Sequence, residues 1–156
     1  MAVLINGRDL TVEQVIRVCR HGEKVELTPE AVEAVKKARA YVEKKVEDKA
    51  VVYGLTTGFG KFANVSISTE QTAQLQKNLI MSHTCSMGKP YEQKYVRAAM
   101  LLRANSLARG NSGIRLETLQ TLIDMLSAGI HPIVPEKGSE TYKTVDVRFA
   151  DQIVCR

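Results

Sequence analysis

At 156 residues, 44% hydrophobic and 25% charged, the chain has a globular make-up and enough length for one buried core. It has no apolar run approaching the ~18 residues of a membrane-crossing helix. Its opening, MAVLINGRDL, carries no basic leader before an apolar stretch, so neither a membrane span nor a signal peptide is expected, and the expected location is the cytoplasm.

The net charge of +5 is too interleaved to suggest nucleic acid as a partner. Lys36, Lys37, Lys44 and Lys45 share their segment with Glu33, Glu43 and Glu47, the pattern of a solvated helix face. Three cysteines, Cys19, Cys85 and Cys155, form no C-x-x-C pair, which speaks against a zinc site or a disulfide framework.

Residues 2–5, followed by Asn6-Gly7, predict a short strand and a turn. Thr11 with Gln14 is a capping-box pattern that opens a helix to about Cys19, with Gly22 past its end. Residues 24–27 suggest a second short strand. Thr28-Pro29-Glu30 then reads as N-cap, first helical proline and first-turn acid. Val32, Val35, Ala38, Val42 and Val46 follow at helical spacing and predict a long helix to about Glu47.

Residues 50–57 read as an extended segment entering a glycine loop. Ser68 with Gln71 opens a helix to about Ser82, with Leu75, Leu79 and Ile80 inward. Pro90 is expected to open the next helix, in which Ala98–Leu102 is apolar on every side and so is expected to be buried all round. A last helix covers about residues 114–127, with Leu119, Leu122, Ile123 and Leu126 on one face. HPIVPEKGS is read as a loop. Beyond it the pattern fits two periods: Val145, Val147 and Phe149 alternate like a strand, while Val147, Ala150, Ile153 and Val154 suit a helix. The expected fold is mainly α, a helical bundle with a small strand-containing N-terminal part.

VVYGLTTGFGK, residues 51–61, places Gly54, Gly58 and Gly60 around one phenol and two threonines. Glycines there would let the backbone approach a ligand, but the spacing is not that of a nucleotide-binding motif. Tyr53 has two readings: an aromatic packed at a strand end, or a general base whose phenolate is stabilised by nearby donors.

Four blocks, YGLTTGFGKFA, LQKNLIMSH, VRAAMLLRANSLARGNSGIR and AGIHPIVPEKGS, resemble in that order the N-terminal segment of the histidine ammonia-lyases, within the wider aromatic amino acid lyase and aminomutase family. The resemblance runs from about residue 2 to Ser139. It implies non-oxidative loss of ammonia from an aromatic amino acid, histidine favoured, to an α,β-unsaturated acid. Tyr53 matches the family's catalytic tyrosine, and Gly54 with Thr57, Gly58, Phe59 and Gly60 the loop that closes over the site. Ser82 and His83 match the pair that distinguishes substrates; a Ser-His pair is the histidine-specific form, also carried by some aminomutases. Phenylalanine or tyrosine lyase and aminomutase segments are the alternatives. Arg103, Asn105 and Arg115 read as structural ties, and Gln76 and Asn78 as possible pocket residues.

The resemblance stops after Ser139. The family's electrophile is a methylidene-imidazolone formed by cyclisation of an internal Ala-Ser-Gly, which occurs nowhere in this chain. The expectation is a lyase-like segment, residues 1–139, with a divergent tail, residues 140–156. Such a chain, frameshifted, truncated or naturally short, is expected to lack the cofactor and to be inactive alone. It is expected to self-associate or to pair with a lyase subunit, and a non-catalytic interaction module is the other class of function.

Overall fold

A computed structural model describes residues 2–52, 57, 69–83, 86–137, 145–149 and 152–155. They form a mainly helical chain with three separate two-stranded pairings. The chain divides into two compact units, Met1–Arg39 with Cys85–Arg156, and Ala40–Thr84.

In the first unit, strand β1 (Val3–Ile5) pairs in parallel with β2 (Val25–Leu27), Val3 opposite Val25 and Ile5 opposite Leu27. Helix α1 (Val12–His21) connects them. Its start is fixed by the capping box foreseen from sequence: Gln14 N–H donates to Thr11 Oγ1, and the Gln14 side chain accepts from Thr11 N–H at 2.8 Å. Its end is fixed by Gly22, whose φ of +69° is a left-handed conformation that costs glycine little. Arg17 and Glu23 form an ion pair across that end, and the Arg17 guanidinium holds the Glu23 carboxyl below its usual range.

Helix α2 (Pro29–Glu47) begins at Thr28, whose hydroxyl accepts from Ala31 N–H. It belongs to the first unit as far as Arg39. Within that span Val35 of the helical pattern read from the sequence is buried and Val32 and Ala38 are half-buried, while Ala31, which that pattern did not include, is buried as well.

Helix α3 (Thr69–His83) lies in the second unit. Leu75, Leu79 and Ile80 are half-buried, on the side expected to face inward. The cap expected at Ser68 lies outside the described residues.

Strand β3 (Met87–Pro90) precedes helix α4 (Gln93–Ala108). Pro90 therefore does not open α4, as its position had suggested. It closes β3 opposite Pro135, Tyr91 N–H donates to Val134 O at 2.9 Å, and Glu92 is the N-cap. Helix α5 (Leu116–Ser127) carries Leu119, Leu122, Ile123 and Leu126, all fully buried. Burial of each such side chain contributes about 1.5–3 kcal/mol.

HPIVPEKGS is not all loop, because strand β4 (Pro135–Lys137) pairs antiparallel with β3. The two-period segment is extended: β5 (Val145–Phe149) and β6 (Gln152–Cys155) pair antiparallel.

The core is one cluster in the first unit, built from β1, β2, α1, the first part of α2, α4 and α5. The expectation that Ala98–Leu102 is buried all round is corrected by α4. Met100 and Leu101 are fully buried, but Ala99 is exposed and Leu102 is 53% exposed. One face of α4 packs on α1 and α5; the other carries the same apolar residue types without burying them.

Candidate functional site

Three of the eight sequence-indicated site residues fall among the described residues. Thr57 is buried. Ser82 and His83 are the last two residues of α3. The Ser82 hydroxyl donates to Leu79 O at 2.9 Å, a local bond back to the preceding turn of the helix. Ser82 is exposed, as is Met81 beside it. The C-terminal turn of a helix ends in carbonyl oxygens with partial negative charge, a favourable place for a group that carries or shares a proton. Asn78, one turn earlier, accepts from Gln74 Nε2 at 2.9 Å and is exposed. Tyr53, Gly54, Gly58, Phe59 and Gly60 lie outside the described residues.

The first unit has a polar centre that pattern reading passed over. Arg97 is 5% exposed and sits on α4 between the ends of two other helices. Nη1 donates to Leu126 O of α5 and Nη2 to Val18 O of α1, both at 2.9 Å. The planar guanidinium reaches both carbonyls at once, satisfying C-terminal acceptors of two helices and opposing their dipoles with one positive charge. The sequence signal was a single charge inside the apolar block VRAAMLL. Of the ties read from sequence, Asn105 is one: its side-chain oxygen accepts from Gly7 N–H at 2.9 Å, joining the β1 turn to α4.

Cys19, on α1, is half-buried, and burial pushes its thiol pKa up, with the Arg97 charge acting against that shift. It has the character of a packed thiol rather than an activated nucleophile. Among the described residues no group of three or more His, Cys, Asp or Glu could hold a metal ion, and no helix is long and apolar enough to cross a membrane.

The chain's only Ser-Gly step, Ser112-Gly113, is a structural turn between α4 and α5. Ile114 N–H donates to Ser112 Oγ, and Gly113 O accepts from the Arg39 guanidinium. Asn111 precedes it, so it does not fit the Ala-Ser-Gly needed for a methylidene-imidazolone.

Residues 10–142 match the family described as aromatic amino acid lyase. The histidine ammonia-lyase of Alkaliphilus metalliredigens is 55% identical over 137 residues, 88% of this chain and 27% of that protein. The Clostridium tetani histidine ammonia-lyase is 53% identical over the same shares. Among solved structures, histidine ammonia-lyase from Trypanosoma cruzi superposes with a TM-score of 0.81 at 38% identity, covering 89% of this chain and 27% of that one. The ergothionase of Treponema denticola gives 0.84 at 31% identity, covering 95% and 29%. The chain thus spans about a quarter of the length of the relatives it matches. With the match covering residues 10–142 and the fold shared, this chain belongs to the aromatic amino acid lyase family.

Proposed function

We propose that this chain is the N-terminal segment of a histidine ammonia-lyase-like protein, serving the non-oxidative deamination of L-histidine to urocanate. The observation that carries the reading is the family match over residues 10–142, which takes in Tyr53, Thr57 and the Ser82-His83 end of α3. Relatives named histidine ammonia-lyase at 53% and 55% identity support histidine over tyrosine or phenylalanine as the substrate.

In this reading Tyr53 accepts the substrate's β-proton. A phenol has an unperturbed pKa of about 10, so donors beside it must stabilise the phenolate. The loop Gly54, Thr57, Gly58, Phe59 and Gly60 closes over the substrate and excludes water. His83 hydrogen-bonds the substrate imidazole, with Ser82 beside it. The lyase-like segment runs to about residue 139 and the tail from 140 is divergent. The family's electrophile does not fit these 156 residues, which hold no Ala-Ser-Gly to form it, and the chain alone is inactive.

Two experiments test this. The purified 156-residue chain is incubated with L-histidine and urocanate absorbance is followed; no product is expected, and accumulation would overturn the claim of inactivity. In a chimera, the matched 137-residue segment replaces the corresponding part of the Alkaliphilus metalliredigens enzyme. The chimera should deaminate histidine. Tyr53→Phe in it should lower kcat roughly 10²–10⁴-fold, and His83→Phe should raise KM for histidine roughly 10–100-fold. Wild-type kcat in the Tyr53→Phe chimera would remove the tyrosine from its role.

A further inference from the structure

The turn after β1 holds the chain's only Asn-Gly step, Asn6-Gly7. Such a step is chemically reactive, because a glycine nitrogen reaches the asparagine side-chain carbonyl with no side chain of its own in the way. The fold requires both residues. Asn6 Oδ1 accepts from Arg8 N–H at 2.9 Å and from Asp9 N–H at 3.1 Å, and Asn6 Nδ2 donates to Asp9 Oδ2 at 2.6 Å. These three bonds build the turn. At Gly7 an added Cβ would run into Arg109 Cγ and lie 2.8 Å from the Arg109 backbone nitrogen. Only glycine lets the turn sit so close to the end of α4.

The reaction open to this step is attack of Gly7 N on Asn6 Cγ. An N–C bond forms, the Cγ–Nδ2 bond breaks, and ammonia leaves carrying the Gly7 amide proton. Water then opens the five-membered imide at one or the other carbonyl, leaving aspartate or isoaspartate at position 6. One water is consumed, one ammonia is released, and nothing is oxidised or reduced. The folded chain opposes the first step at both reacting groups. Gly7 N–H donates to Asn105 Oδ1 at 2.9 Å, which keeps the proton on the nitrogen and directs it toward α4. The bonds to Arg8 and Asp9 hold the Asn6 amide in the turn. Both groups must be released before Gly7 N meets Asn6 Cγ, so the reaction needs a local opening of the turn from α4.

We propose that Asn6-Gly7 is a self-modification site gated by the fold: docking of the β1 turn on Asn105 suppresses conversion of Asn6, and loss of that docking starts it. The conversion is one-way. Isoaspartate lengthens the backbone by one carbon just after β1, which carries Gly7 N–H away from Asn105. Either product also sets a second carboxylate beside Asp9, where the amide had donated to it. A chain that has stayed open is therefore marked, and it redocks less well than before.

To test this, the full chain is held at mildly alkaline pH, one portion in native buffer and one in urea. Conversion in the tryptic peptide of residues 1–8 is followed by mass spectrometry, and isoaspartate is read with a protein-isoaspartate methyltransferase. Asn6 should convert at least about 10-fold more slowly in native buffer than in urea, the ratio being set by the cost of opening. Asn105→Ala removes the acceptor. It should keep the wild-type circular dichroism, raise the native rate roughly 3–10-fold, the worth of one hydrogen bond, and leave the rate in urea unchanged. Equal rates for the wild type in the two buffers overturn the proposal. So does a folded Asn105→Ala chain that converts no faster than the wild type. Where that variant does not fold, the wild-type comparison decides by itself.

Discussion

Arg97 shows how much one side chain can decide. Its guanidinium joins α1, α4 and α5 through the carbonyls of Val18 and Leu126. Arg97→Met would keep much of the volume and abandon both acceptors, so it should cost about 2–4 kcal/mol. Arg97→Lys keeps the charge but not the two-pronged reach, and should recover only part of that loss. Urea unfolding with an unchanged slope is the measurement, and two variants within about 0.5 kcal/mol of wild type would show that the bridge contributes little. This residue also marks a limit of pattern reading. A lone arginine in an apolar run looks the same in sequence whether it emerges to solvent or caps two helices from inside. Asn105 was legible as a tie because it stands beside other polar residues in a block already identified. The loop residues around Tyr53 were named from the resemblance alone.

Among elements, those whose ends carry local chemistry were read best. Thr11 with Gln14, Thr28 before Pro29, and Gly22 after α1 each fix a terminus through bonds to neighbours within five positions. Strand pairing was not legible in the same way. Pro90 looks like a helix opener, and only its distant partner Pro135 makes it the end of β3. Two glycines separate the local cost from the long-range one. At Gly22, φ is +69° and an added Cβ would meet nothing within 4 Å; at Gly110, φ is +73° and the Cβ would lie 2.6 Å from the Ala34 backbone. Gly22→Ala should therefore cost only the left-handed conformation, about 1–2 kcal/mol. Gly110→Ala should add roughly 1–3 kcal/mol by forcing α2 and α4 apart. Thermal melts of the two variants test the difference, and equal losses would show that α2 shifts without resistance.

For the molecule as a whole, the apolar pattern located the core but not its limits. Leu119, Leu122, Ile123 and Leu126 were legible as a buried face because polar residues flank them on the same helix. Leu101 and Leu102 are adjacent and chemically identical, yet one is fully buried and the other mostly exposed. Nothing in an unbroken apolar run tells them apart; only the packing of α1 and α5 on one side of α4 does. Leu122→Ala should accordingly destabilise by about 2–5 kcal/mol. Leu102→Ala should stay within about 0.5 kcal/mol. A large loss for Leu102→Ala would mean that this face is covered within the chain itself.

The first unit is assembled from two stretches of chain with Ala40–Thr84 between them. Gly7 waits for Asn105, 98 positions later, and Val25 for Ser127, 102 positions later. A ribosome adds roughly 5–20 residues per second, so the emerged N-terminal stretch spends about 5–20 s without its partners. During that interval Val3, Ile5, Val18 and Val35 have no α5 to pack on. The nascent chain is then a natural client for holdase chaperones, and synonymous codon changes that slow translation between residues 40 and 100 would lengthen its exposure.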